Sequence, residues 1–492
     1  MRKIYYFISI ICFSLVFGAC SKNISSTDED DIDEHKPSSV NYIHAISDMS
    51  HAFSFYADGR FGQQYLKDFK CYSNAGNLAD LDLSNVNLLV FLDCEEKCPY
   101  TEKDFAVINN FVNDGGGVVV LGNHDRVAQN KLAQNFGASF EANIIGDLIA
   151  KGIDAGKVET QGNATWISFT GSKQWNSYVE TVDGKSVLAM SKCGKGNVVI
   201  ASRSLAGSNP DASDSINSKI WIPVLKAAAA GKVVDRDKPF QIKGWEEQGH
   251  SVEEFGFTLH YNDYLAPYAD AMSKVISRCM PMIEKRMGIP LSSGMATDVA
   301  LLASGGGGFS SGKLIGLAVF WGGFPEREDP MIEFITHESV HSWVLPYAEI
   351  WNEPIATYVG DLVMADMGYE EESARLIAAC IERAKSSDPS FSLYDLNGKS
   401  VKDGVPDLPS DKVNDVHWGK SFWIFEQLRK ENPDFIADYF KAKREYAVEG
   451  KIQKYDENNT VAVMSIAMGK DMFPWFRSIG FDVDRNNAEI KF

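Results

Sequence analysis

Between residues 40 and 230 the apolar positions keep changing their period. Val86–Asp93 (VNLLVFLD) is a short apolar run closed by polar residues, the pattern of a strand buried on both faces. In the next segment Phe105, Ile108, Phe111 and Val112 recur at helical spacing; Thr101 and Glu102 suit a helix start, and Gly115–Gly117 end it. VVVLGNHD (Val118–Asp125) and GNVVIAS (Gly196–Ser202) are further apolar runs of strand length. Strand, helix and strand in this rhythm predict an α/β domain over residues 41–235, built on a doubly wound parallel sheet.

Ala227–Gly244 (AAAAGKVVDRDKPFQIKG) reads as a boundary, and beyond it the pattern changes. Tyr264–Gly288 carries a long helical period stopped by Gly288 and Pro290, and Pro281 inside it predicts a kink or a split. Ala296–Phe324 alternates apolar runs with glycine turns, so β structure is expected, and Gly305–Gly308 reads as a flexible turn. That run lacks the Gly-Lys-Ser/Thr ending of a phosphate loop. From Asp329 onward helical patterns dominate. Residues 245–492 are therefore expected to form a second, mostly helical α+β domain. No internal repeat of solenoid length is visible.

Composition adds a compartment. The 492 residues are 45% hydrophobic, ample for real cores, with 48 basic and 67 acidic side chains, a net charge of −19. No basic face is evident, which argues against a nucleic-acid partner. Arg2 and Lys3 precede an apolar run, Ile4–Phe17, too short for a comfortable membrane span and suited to a secretory signal over residues 1–20. Residues 21–40 are polar and acidic, the composition of a disordered tether. Beyond Cys12 and Cys20 the six cysteines are too sparse for a disulfide scaffold; Cys94 and Cys98 are spaced for a small loop disulfide or for two free thiols.

The candidate chemistry lies in FITHESVHSWVLPYAEIWNEPIATYVGD (Phe334–Asp361). On a helix, residues four apart share a face, so His337 and His341 present two imidazoles one turn apart, a spacing that can hold one Zn2+. Glu338 lies about 100° round the helix, beside such a metal rather than on it, where a carboxylate serves as general base toward a metal-held water. A catalytic zinc takes three protein ligands and one open position. Glu353 is the expected third ligand, ahead of Glu349, at the start of a helix whose first turn contains Pro354. Asp361 is a candidate to orient a ligand histidine. His417 and Tyr347 are candidates to stabilise an oxyanion. Trp321, Trp351, Trp418 and Trp423 suit either sugar stacking or a core, and burial habits favour the core.

Several of these segments resemble known families. Gly18-Ala19-Cys20 resembles the lipobox of bacterial lipoproteins. That resemblance implies an exported chain lipidated at Cys20, attached to a membrane by lipid alone, at the outer membrane or cell surface of a bacterial envelope. LLVFLD…FVNDGGGVVVLGN resembles the class I glutamine amidotransferase-like fold. The turn where that family carries its nucleophile reads Leu121-Gly122-Asn123-His124-Asp125, without cysteine, so a scaffold or recognition role is expected. His337-Glu338-x-x-His341 followed by Asn352-Glu353-x-x-Ala356 resembles the gluzincin peptidases, which implies a zincin-like domain with two histidines and a downstream glutamate as ligands.

The short gap, the preceding domain and KDMFPWFRSIGFDV point to the enhancin type, whose members include secreted bacterial enzymes acting on mucins and other glycoproteins. This resemblance covers about the last half of the chain. The Gly-x-Met-Glu-Asn motif of aminopeptidases is absent; GLAVFWGGFP (Gly316–Pro325) stands in its place, as a strand able to pair with an extended substrate. An endopeptidase acting on protein or glycoprotein is therefore expected over an aminopeptidase. VHWGKSFWIFEQLRK (Val416–Lys430) resembles the helix that follows the catalytic tyrosine of aminopeptidases, but His417 and Trp418 stand where tyrosine would. The alternative is an inactive surface protein binding glycan or peptide, with a structural metal site. Oligomeric state is not legible in the sequence.

Overall fold

The computed structural model describes residues 43–492 apart from 54–68, 93, 145, 153–157, 207–215, 236, 239, 255, 291–297, 312–313 and 344–348. The signal, tether and lipidation assignments at residues 1–40, Cys20 included, fall outside the described residues, as does Tyr347.

The N-terminal part is a ten-stranded mixed sheet. Its strands are β1 (Ile43–Asp48), β2 (Phe69–Asn74), β3 (Leu88–Phe91), β4 (Gly117–Gly122), β5 (Ala138–Asn143), β6 (Leu148–Ala150), β7 (Thr165–Phe169), β8 (Trp175–Thr181), β9 (Ser186–Cys193) and β10 (Gly196–Ser202). The order β2-β1-β3-β4-β10 is parallel throughout. From β10 onward, β9, β7, β5, β8 and β6 pair antiparallel. The expected all-parallel sheet is thus only half of what forms. The tight β9–β10 hairpin turns at Gly194, which adopts φ 55, a left-handed backbone that suits glycine.

Both faces of the parallel half are covered. Helix α1 (Glu102–Asn113) and helix α2 (Val127–Asn135) bury Ile108, Phe111 and Leu132 against one face, while α3 (Ile216–Ala229) buries Ile220, Trp221 and Val224 on the other. The α1 start is a reciprocal cap: Asp104 N donates to Thr101 Oγ1 (3.4 Å) and Thr101 N to Asp104 Oδ2 (2.7 Å).

The C-terminal part opens with a five-stranded sheet of β11 (His250–Glu254), β12 (Phe257–Tyr261), β13 (Asp298–Leu302), β14 (Gly308–Ser311) and β15 (Leu314–Ala318), in the order β11-β12-β13-β15-β14. β15 is internal, paired to β13 and β14, so Gly316–Ala318 has no free edge for a substrate; the edge beside it is β14, antiparallel to β15. Helix α4 (Ala266–Met287) runs through Pro281 as one element and stops at Gly288, φ 65. Its buried face, including Met272, Ile276 and Ile283, packs into a single large core, and that surrounding core holds the helix together across the proline. The remainder is helical: α5 (Asp329–Trp343), α6 (Glu349–Asp366), α7 (Glu370–Lys385), α8 (Ser410–Glu431), α9 (Phe435–Ala442), α10 (Glu457–Met468) and α11 (Phe473–Ser478).

The two parts meet where β1 and β3 end. Asn262 Nδ2 donates to the carbonyls of Ser50 (3.3 Å) and Ala75 (3.0 Å), Phe53 N to Ala303 O (2.9 Å), and Tyr264 Oη to Asp104 Oδ1 (2.6 Å). Glu95 Oε1 accepts from Gly305 N (3.2 Å) in the loop leading to β14. Cys94 and Cys98 are free, buried thiols, and Cys94 Sγ donates to Cys98 O (3.2 Å). No helix among the described residues is long and apolar enough to cross a membrane.

Candidate metal centre

Helix α5 carries the two histidines because its apolar residues fix which way it turns. Met331, Ile332, Ile335 and Val340 are buried, and this leaves His337 and His341 on the flank toward α6. Helix α6 brings Glu353 against them. His337 Nε2 and His341 Nε2 are 3.0 Å apart, and Glu353 reaches them at 3.3 and 3.4 Å through its two oxygens. One ligand atom from each residue falls within 4.8 Å of the others.

The outer nitrogens decide what those inner atoms can do. His341 Nδ1 faces Asn352 Oδ1 at 3.2 Å, and His337 Nδ1 faces Thr357 Oγ1 at 2.9 Å. A hydrogen on each Nδ1 leaves both Nε2 lone pairs directed at one another and at a carboxylate, an arrangement that asks for a cation between them. Tetrahedral zinc with ligands at about 2.0–2.1 Å sets ligand atoms about 3.3 Å apart. The two Nε2 atoms, 3.0 Å apart, and the Glu353 oxygens, 3.3 Å from one and 3.4 Å from the other, lie near that value, so the donor set fits the ion.

Electrostatics agree in direction. Burial would raise the Glu353 carboxyl, but the imidazoles of His337 and His341 hold it well below the usual carboxylate range. Burial opposes charge on His337, and Glu353, Glu338 and Glu333 outweigh it, raising the imidazole to about 9. Glu338 is 7% exposed; burial pushes its carboxyl up, with the two histidines opposing. Edge strand β14 passes directly over this carboxylate. A Cβ on Gly308 would come within 2.6 Å of Glu338 Oε1 and 2.5 Å of the Phe334 ring, so only glycine permits the approach. The glycine read as a flexible turn residue is thus a packing requirement of the site.

Three expectations need correction. Pro354 does not sit in a first turn: α6 begins at Glu349 and contains the proline, because the preceding residues pack as helix against the core. Asp361 does not orient either histidine. It is buried two turns along α6, where desolvation, Glu333 and Glu372 push its carboxyl up, and Thr357 and Asn352 take the orienting part. His417 Nε2 lies 2.5 Å from Ile350 O. Burial lowers its imidazole, and a neutral ring that gives its Nε2–H to a carbonyl has no N–H left for an oxyanion. Thr357 went unread in the sequence, although Glu353 and Thr357 are four apart and Asn352 adjoins Glu353, which places all three toward α5.

Of the tryptophans, Trp351 is buried and stacked on Phe481, Trp423 stacks on Phe391, and Trp418 packs near Phe422. Trp321 is half-buried, stacked on Phe334.

No protein-family model and no curated protein matches the chain. Among solved structures, leukotriene A4 hydrolase from Saccharomyces cerevisiae is 15% identical over 47% of this chain and 37% of that one, TM-score 0.33. The mmIFT52 N-terminal domain is 16% identical over 37% of this chain and 96% of that one, TM-score 0.30. The exo-β-1,4-mannosidase Op5Man5 from Opitutaceae bacterium strain TAV5 is 12% identical over 38% and 36%, TM-score 0.27. Likenesses at this level carry no argument about activity.

Proposed function

We propose that the chain is a zinc-dependent endopeptidase of the gluzincin, enhancin-like type, cutting extracellular protein or glycoprotein while attached to a bacterial envelope by lipid on Cys20. The observation that carries the reading is the convergence of His337 Nε2, His341 Nε2 and a Glu353 oxygen beside the buried Glu338 carboxylate. His337, His341 and Glu353 would hold the zinc, which when bound polarises a scissile carbonyl and acidifies a water. Thr357 and Asn352 keep both imidazoles in the tautomer whose Nε2 is free to ligate. Glu338 would take a proton from the attacking water and return it to the leaving amine. The exposed side of β14 offers backbone groups to an extended substrate running past Glu338. Lipid anchoring and the glycoprotein substrate rest on the sequence resemblances alone.

One observation favours a second reading, a glycan- or peptide-binding protein with a structural metal. His417, the one of the two oxyanion candidates from the sequence that lies among the described residues, gives its Nε2–H to Ile350 O. Zinc stoichiometry and cleavage of bare and glycosylated protein substrates separate the two. One zinc in the wild type, lost or weakened more than about 100-fold in Glu353→Ala, supports the metal site. Cleavage that vanishes in Glu338→Gln while zinc stays bound supports the enzyme. Retained zinc with no cleavage of any substrate leaves the binder, and a wild type without zinc overturns both.

A further inference from the structure

Pro354 leaves a defect in the helix that carries Glu353. In an α-helix each N–H bonds the carbonyl four residues back, and proline has no N–H. The carbonyl that loses its regular i+4 donor is therefore that of Ile350, one residue into α6. This turn lies inside the protein, with Trp351 1% exposed, so an unpaired carbonyl here would be costly. The atom that meets it is His417 Nε2 on α8, at 2.5 Å. A carbonyl only accepts, so the imidazole donates.

Helix α8 is a firm platform for such a donor. Ser421 Oγ bonds back to His417 O at 2.7 Å. Gly419 lies so close to α7 that a Cβ there would come within 2.3 Å of Cys380 O. The buried Lys420 ammonium donates to the carbonyls of Tyr394 and Ile479. The turn that His417 pins contains Asn352 and Glu353, which orient His341 and close the three-residue cluster.

We propose that His417 is a positioning residue: its Nε2–H replaces the backbone donor that Pro354 lacks and sets the register of the turn presenting Asn352 and Glu353 to the metal. The role rests on the zinc reading above, but the link between His417 and Pro354 is a property of the helix with or without metal.

The two are separable in one mutant cycle: wild type, His417→Leu, Pro354→Ala and the double variant of the full chain. Each is read by chelator competition for zinc and by thermal unfolding of the metal-free protein. His417→Leu alone should weaken zinc about 10–100-fold and lower the unfolding midpoint by a few degrees. Pro354→Ala restores an N–H to Ile350 O, so adding His417→Leu to it should cost much less on both readouts. His417→Gln, which keeps an N–H donor, should recover part of the loss and serves where the leucine variant does not fold. Equal cost of losing His417 in both backgrounds overturns the proposal. If no variant binds zinc, the metal reading fails while the unfolding cycle still decides the helix link.

Discussion

Two histidine–carboxylate clusters among the described residues, one at the domain junction and one between α5 and α6, are built to opposite ends. At the domain junction His51 is fully buried between Asp48 and Asp104: Nδ1 meets Asp48 Oδ2 and Ser50 Oγ, both at 2.9 Å, and Nε2 lies 3.5 Å from Asp104 Oδ2. Asp48 also accepts from Ser50, and Asp104 from Thr101 and Tyr264. Both sides of the ring face carboxylate, which favours the protonated ring. In α5 and α6 the ring nitrogens on one side face neutral oxygens, and those on the other face each other and one carboxylate. There one proton can only bridge the two Nε2 atoms, which lie 3.0 Å apart, whereas a metal would take both lone pairs and the carboxylate together. The same residue types make a structural lock or a metal site according to what stands on the outer nitrogen.

Breaking each cluster should therefore give different symptoms. The largest effect is expected at the second, where Glu338→Gln should lower the cleavage rate about 100- to 10,000-fold with zinc retained, checked by kinetics and metal analysis on one preparation. At the first, His51→Leu leaves two aspartates facing each other in the junction and should cost about 3–5 kcal/mol by denaturant unfolding, with zinc affinity per folded molecule unchanged. Loss of zinc with no loss of stability would erase the distinction between the clusters.

A smaller effect sharpens the metal side. Thr357→Val removes the hydroxyl at His337 Nδ1 while keeping the volume, and zinc affinity should drop about 10–100-fold. An unchanged affinity would show that the tautomer is held some other way.

The smallest effect is a pH dependence. Burial opposes charge on His51, and Asp48 and Asp104 outweigh it, so its folded pKa is raised above the ordinary 6.5. The imidazolium's contribution is complete below that value and is lost as pH rises through the folded one. Asp104 runs the other way: desolvation is outweighed by His51, Thr101 and Tyr264, its carboxyl falls to about 2, and its contribution is lost as pH drops toward that value. The stability difference between wild type and His51→Leu should thus narrow above pH 6.5, with Tyr100, Tyr264, Cys94 and Cys98 as further titratable neighbours. A difference that is flat from pH 6 to pH 9 would mean that His51 is neutral in the folded protein.

Much of the candidate metal-binding segment was legible because it is local. His337, Glu338 and His341 sit within one helical turn and a fraction, and the 3.6-residue period places them without knowledge of the rest. The capped start of α1 was equally readable from Thr101 and the apolar spacing behind it. What failed was of longer range. The first sheet turns antiparallel after β10, and which strand of the second sheet has a free edge depends on β14 folding back on β15.

By itself, the sequence determined the period of particular segments, the strand-length runs at Val86–Asp93, Val118–Asp125 and Gly196–Ser202 among them, and that two imidazoles and a carboxylate share one stretch of helix. Those follow from φ/ψ geometry and burial over a few residues. Only the tertiary structure decided that Gly308 must be glycine where the edge strand crosses Glu338, that Thr357 and Asn352 face the imidazoles, and that His417, 63 residues beyond Pro354 in the sequence, meets the carbonyl its missing N–H leaves. Such partners are chosen by where packed elements come to rest, because a buried donor or acceptor must be satisfied by whatever lies within about 3 Å.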